Sequence, residues 1–302
     1  MGSGSYSRDD FISYTASRGI SYDSSTCKMA DFTSHQDIFK SRSVDPALNP
    51  MNVTRECCDS AEHPNTKPVI LALDVTGSMG QAAVEVAKSM NVIMTKLYDQ
   101  VDDIQFMTMG IGDFSYDHSP LQVSQFESDI RIVEQLDKIY FEFGGGGNSF
   151  ESYSAAWKFG LDHTKLDCFD KRGQKGVIIT LGDERLNPYI NRDAWNAIVG
   201  DSLQADIETK NLYEEVSKKF NIFHINVDHK GFPMSGIEES FKAIIPAQNY
   251  FKCKIEDLDK TISNIIIDSF TNSSASSFVV NENPIPAATL KIGKNENGEI
   301  CW

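Results

Sequence analysis

Val69-Ile70-Leu71-Ala72-Leu73-Asp74-Val75-Thr76-Gly77-Ser78 (residues 69–78) is the stretch on which the fold turns. Its first five residues are all apolar, the pattern of a strand covered on both faces of a parallel sheet. The run then stops at a carboxylate and two hydroxyls spaced i, i+2 and i+4. Ser78 is positioned to cap a helix running to about Tyr98, because Ala82, Val86, Met90, Ile93 and Leu97 recur every three or four residues.

Downstream, strand and helix patterns alternate. Residues 104–111 read as a second strand and 121–126 as a third. Helices are expected at 130–139 and 150–162, on either side of Gly144-Gly145-Gly146-Gly147. Gly176 to Leu181 is another buried run, followed by strands at 221–227 and 249–253. Further helices are expected at 210–220 (capped by Thr209), 235–245 and 256–269. This alternation predicts an α/β fold: a Rossmann-like, doubly wound, mostly parallel sheet flanked by helices over residues 67–270. Residues 1–66 lack a period of 2 or 3.6 and read as an irregular, partly disordered arm whose scattered aromatics lie against the main domain or a partner. Residues 271–302 form a Ser/Asn/Pro-rich C-terminal tail with one candidate strand at 288–292.

The chain of 302 residues carries 28 basic and 43 acidic side chains, a net charge of −15. Lys171-Arg172 and Lys218-Lys219 are pairs rather than patches, so neither a nucleic-acid backbone nor an anionic membrane is an expected partner. The N-terminus lacks a secretory pattern, and no window approaches the roughly 20 apolar residues of a membrane span. The expected location is therefore the cytoplasm. Six cysteines form no CxxC pair and are expected to be free thiols.

In an open α/β sheet a ligand sits beyond the carboxyl ends of the strands, where strand order reverses. Three loops at those ends carry hard oxygen donors: Asp74, Thr76 and Ser78; Asn148 and Ser149; and Asp183 with Glu184. Such donors suit Mg²⁺ or Mn²⁺, with Ca²⁺ as the alternative. Two carboxylates only neutralise a divalent ion, which leaves it electrophilic, and the following helix turns its positive end toward the same place. A carboxylate from another molecule is the natural further ligand.

The sequence LALDVTGSMG resembles the metal-ion-dependent adhesion site of von Willebrand factor type A domains, here of an intracellular, bacterial type. The resemblance spans roughly residues 67–270. It implies a Rossmann-like fold and a metal that binds an acidic residue, Asp or Glu, of a partner protein. By motif position it implies Asp74, Thr76, Ser78 and the distal Asp183 as ligands. Asn148 stands where members of that family carry Asp or Thr, with Ser149 beside it. The loop at 184–208 begins on the same face, and Tyr189 and Trp195 in it, together with Ser149, are expected to contact the partner.

The expected function is thus a non-enzymatic protein-interaction module. One alternative is a scaffold or regulatory subunit with a degenerate metal site, contacting partners through its N-terminal arm. The other is a metal-dependent phosphoryl-transfer enzyme. Asp-x-Asp phosphatases need a carboxylate where Thr76 stands, the nucleophile-elbow pattern fails around Ser78, and no nucleotide-binding glycine pattern is present. His224 reads as a core residue and His118 as part of a solvated loop.

Overall fold

Each buried run of the sequence becomes a strand of one six-stranded sheet in the computed structural model, which describes residues 4–142, 149–228 and 236–271. The strands are β1 (Lys67–Asp74), β2 (Ile104–Ile111), β3 (Leu121–Val123), β4 (Gly176–Gly182), β5 (Phe220–Asp228) and β6 (Tyr250–Lys254). Their spatial order is 3-2-1-4-5-6. All neighbours are parallel except β3, which runs antiparallel to β2 at the edge. The expected α/β fold, a doubly wound and mostly parallel sheet flanked by helices, is what the structure shows.

Alternation along β1 builds two cores. Val69, Leu71 and Leu73 face α2 (Gly80–Tyr98) and α6 (Leu258–Thr271), meeting Val86, Met90, Ile93, Ile262 and Ile266. Ile70 and Ala72 face the other side, against Trp157 and Phe159 of α3 (Ser154–Asp162) and Leu212 and Val216 of α5 (Thr209–Lys219). Helix α4 (Arg192–Val199) lies in the connection between β4 and α5. None of the helices among the described residues is long and apolar enough to cross a membrane.

The N-terminal segment corrects the expectation of an irregular arm. Helix α1 (Arg8–Ser17) begins at Ser7, whose hydroxyl accepts the Asp10 amide. Phe11, Met29, Ile38 and Leu48 are buried in the same core as α2. Arg55–Cys57 pairs in parallel with Thr164–Leu166, and the Arg55 guanidinium donates to the carbonyls of Ala47 and Val123 at 2.8 Å each. The segment contributes apolar residues singly, between turns, so no helical or strand period betrays it. The described residues all belong to one compact unit, Met1–Asn272; the candidate strand at 288–292 lies outside them.

Several element ends differ from expectation. Ser78 lies inside a 3₁₀ turn, Gly77–Met79, and makes no capping bond to α2, so its hydroxyl is free for another use. Thr209 is the first residue of α5 rather than its cap, because its hydroxyl donates to the Asn187 carbonyl at 2.7 Å. Residues 150–151 are extended and pair in parallel with Arg185–Leu186, so α3 starts only at Ser154.

Candidate metal centre

The chain leaves β1 toward β2 on one side, whereas the neighbouring β4 leads toward β5 on the other. Between their carboxyl ends lies the crevice where such sheets bind ligands. Asp74 is the last residue of β1 and is 1% exposed. One carboxylate oxygen, Oδ1, accepts the Thr76 amide at 2.8 Å and the Thr76 hydroxyl at 2.5 Å. The other, Oδ2, accepts the Tyr153 hydroxyl at 2.8 Å. Across the crevice Ser78 donates its hydroxyl to Asp183 Oδ1 at 3.1 Å, and Thr76 Oγ1 stands 3.4 Å from Ser78 Oγ. Four of the expected donors, Asp74, Thr76, Ser78 and Asp183, are therefore brought together. Ser78 is exposed and Thr76 half-buried, so the cluster opens to solvent.

The groups that hold Asp74 are hydroxyls and an amide, none of them a cation. Burial, reinforced by Asp183, pushes its carboxyl up to about 7. Burial and Asp183 likewise raise Glu184 to about 7 against the opposing pull of Arg185, and Glu184 Oε2 is buried without a hydrogen-bond partner. Glu151, buried and close to Asp74, is pushed well above the carboxylate range, by burial first and by Asp74 next.

A divalent cation fits this donor set. Ligands at 2.0–2.1 Å in an octahedron place adjacent oxygens about 3 Å apart, the spacing found from Asp74 through Thr76 and Ser78 to Asp183. Among the described residues no three His, Cys, Asp or Glu side chains converge as a metal-holding group, so the hydroxyls are essential to the fit. Asn148 lies outside the described residues. Ser149 is half-buried, immediately ahead of the 150–151 strand.

Three residues of the site were not anticipated. Tyr153 bridges the crevice wall, donating to Asp74 and accepting the Glu184 amide at 3.3 Å. Gly182 makes room for it: a Cβ there would stand 1.7 Å from the Tyr153 hydroxyl oxygen. Glu151 sits two residues before Tyr153. The signal available was an aromatic just past the Asn148-Ser149 loop, and nothing local ties it to β1, 79 residues earlier.

The two aromatics expected at the partner surface separate. Tyr189 is 51% exposed, whereas Trp195 is fully buried. The Trp195 indole stacks on Phe114 with centroids 5.9 Å apart and donates to Asp201 at 2.6 Å, so its expected partner contact is corrected to packing. His118, its ring exposed, pairs with Glu142 at 2.8 Å in a solvated loop. His224 is a core residue whose Nδ1 meets the Thr180 hydroxyl at 2.9 Å.

No protein-family model and no curated protein sequence matches the chain. Among solved structures, the chain is similar to the pilus adhesin SpaC of Lactobacillus rhamnosus GG in its open conformation, at 13% identity and a TM-score of 0.46. That match covers 73% of this chain and 31% of SpaC. The von Willebrand factor domain of the type V pili tip protein Mfa5 of Porphyromonas gingivalis aligns at 11% identity and a TM-score of 0.47, covering 71% of this chain and 98% of that one. Proximal thread matrix protein 1 of the mussel byssus, with a zinc-occupied metal-ion-dependent adhesion site, aligns at 13% and 0.44, covering 70% and 48%. This chain thus spans about a third of SpaC and about half of the byssus protein.

Proposed function

We propose that the chain is a non-enzymatic interaction module that takes an acidic side chain, Asp or Glu, of a partner protein through a divalent cation, Mg²⁺ or Mn²⁺, at the β1/β4 crevice. The observation that carries this reading is the run of four oxygens at ligand-edge spacing around a buried carboxylate that only neutral groups hold. Asp74 and Asp183 supply the charge, and Thr76 and Ser78 supply neutral oxygens. Tyr153 fixes the Asp74 carboxylate from behind. Asn148 and Ser149, from the third loop, complete or tune the set. When bound, the cation supplies a Lewis-acidic position for an incoming carboxylate oxygen. A cytoplasmic location belongs to the same proposal, supported by the five described cysteines, all free thiols.

Co-purification from native extract tests the reading. Partner recovery is expected in Mg²⁺, with loss on chelation and in Asp183→Asn. A partner retained equally under all three conditions would overturn it, as would turnover of a generic phosphate ester above background.

A further inference from the structure

The Tyr153 hydroxyl, which donates to Asp74 Oδ2 at 2.8 Å and accepts the Glu184 amide at 3.3 Å, stands at the far end of an aromatic ring. A small turn of that ring would carry it off the carboxylate, so the packing around the ring decides whether Asp74 is braced. Tyr153 is fully buried, and two further buried rings meet it: His224, with centroids 5.1 Å apart, and Phe241, at 5.6 Å. Those two stack on each other at 3.6 Å, their planes 14° apart.

The two neighbours are held differently. His224 belongs to β5, and its Nδ1 meets the Thr180 hydroxyl of the adjacent β4 at 2.9 Å, so the sheet itself sets its place. Phe241 comes from outside the sheet, on the short helix Ile237–Lys242. That helix is docked at two places. The Leu186 amide, in the strand that pairs with residues 150–151, donates to Ser240 Oγ at 3.1 Å. On β6, Lys252 pairs with Glu238 at 2.6 Å, and the Tyr250 ring lies 5.8 Å from that of Phe241.

We propose that Phe241 is a positioning residue for the cation site. With His224 it holds the Tyr153 ring so that the hydroxyl braces Asp74 Oδ2, and the helix that carries Phe241 thereby sets how well the crevice holds a cation. A side chain without a ring gives up contact with His224 and Tyr153 together and leaves Tyr153 room to pivot. Asp74 Oδ2 then loses its donor, while Oδ1 keeps the amide and hydroxyl of Thr76. An octahedral ion with ligands at about 2.0–2.1 Å is sensitive to a carboxylate that is free to swing, which is why groups behind the ligands matter to affinity. The effect on cation affinity rests on the proposed function; the hold on Tyr153 does not.

Mn²⁺ titration calorimetry and amide NMR on the full chain test the positioning. Phe241→Leu should weaken Mn²⁺ binding about fivefold and Tyr153→Phe about tenfold. The double variant should lose no more than Tyr153→Phe alone, since Phe241 acts through the hydroxyl. Phe241→Met, closer in volume, carries the same expectation as Phe241→Leu, so a folding failure of one leaves the other as the test. Without metal, Phe241→Leu should shift the resonance of the Thr76 amide, which donates to Asp74, but should not do so when Tyr153 is already Phe. A wild type that binds no Mn²⁺ would count against the cation reading alone, and the Thr76 amide would still decide the positioning. An equal loss of affinity with and without the Tyr153 hydroxyl, or a Thr76 amide that Phe241→Leu does not move, overturns the proposal.

Discussion

The two edges of the sheet use the same residue type in opposite ways. At the amino edge, just ahead of β1, burial disfavours ionised Asp59, but hydrogen bonds from Arg172 and Thr66 outweigh it and hold the carboxyl down at about 2. The Arg172 guanidinium reaches both oxygens, at 2.6 and 3.2 Å. Nearby Asp167 is lowered by the hydrogen bond from Lys171. At the carboxyl edge, Asp74, Glu151 and Glu184 are all pushed up by burial, with neutral donors rather than cations around Asp74. Paired acids tie the N-terminal segment to the sheet. In the crevice, by contrast, burial outweighs the donors around Asp74, and Arg185 only partly offsets the rise at Glu184.

The largest effect expected is on the packing behind the crevice. Gly182→Ala drives a methyl into the Tyr153 hydroxyl and should cost about 3 kcal/mol in chemical denaturation. A cost below about 0.5 kcal/mol would show that Tyr153 is not held against Gly182. At the amino edge, Arg172→Ala strips Asp59 of its bidentate partner and should cost about 2 kcal/mol. Asp74→Asn should do the reverse, raising metal-free stability at pH 8 by an amount on the order of 1 kcal/mol, since a disfavoured charge is removed. If both variants destabilise alike, the contrast between the edges fails.

The pH profile sharpens the same contrast. Asp74 titrates near 3.8 when unfolded and at about 7 when folded, so its contribution is present below about pH 4 and is lost as pH rises through 7. Asp59 works oppositely: its contribution is present above about pH 4 and is lost as pH falls toward 2. Metal-free stability should therefore peak near pH 4, with Asp74→Asn making only the decline between about pH 4 and 7 shallower and Asp59→Asn only the decline below pH 4. The smallest effect belongs to an exposed aromatic. Tyr189→Ala should move stability by less than about 0.5 kcal/mol, and a larger shift would mark Tyr189 as structural.

The central strands were legible because β1, β2 and β4 are buried on both faces and read as unbroken apolar runs. Asp74, Thr76 and Ser78 were legible because they share one loop, and Asp183 because it follows such a strand. Tyr153 and Glu151 were not, since their link to Asp74 exists only after β1 and β4 pair. The N-terminal layer was hidden for a related reason. Phe11, Met29, Ile38 and Leu48 fill a core made by other elements, and the Asp59–Arg172 pair spans 113 residues. Trp195 looked like a partner contact because its loop begins on the face of the candidate site; its burial depends on Phe114 and Asp201.

Calorimetric titration with Mn²⁺ at pH 7, comparing the wild-type chain with Asp74→Asn, tests the central claim most directly. The account predicts one saturable site in the wild type and at least a tenfold loss of affinity in the variant, with the variant still folded. No binding heat in the wild type, or equal affinity in both proteins, would contradict it.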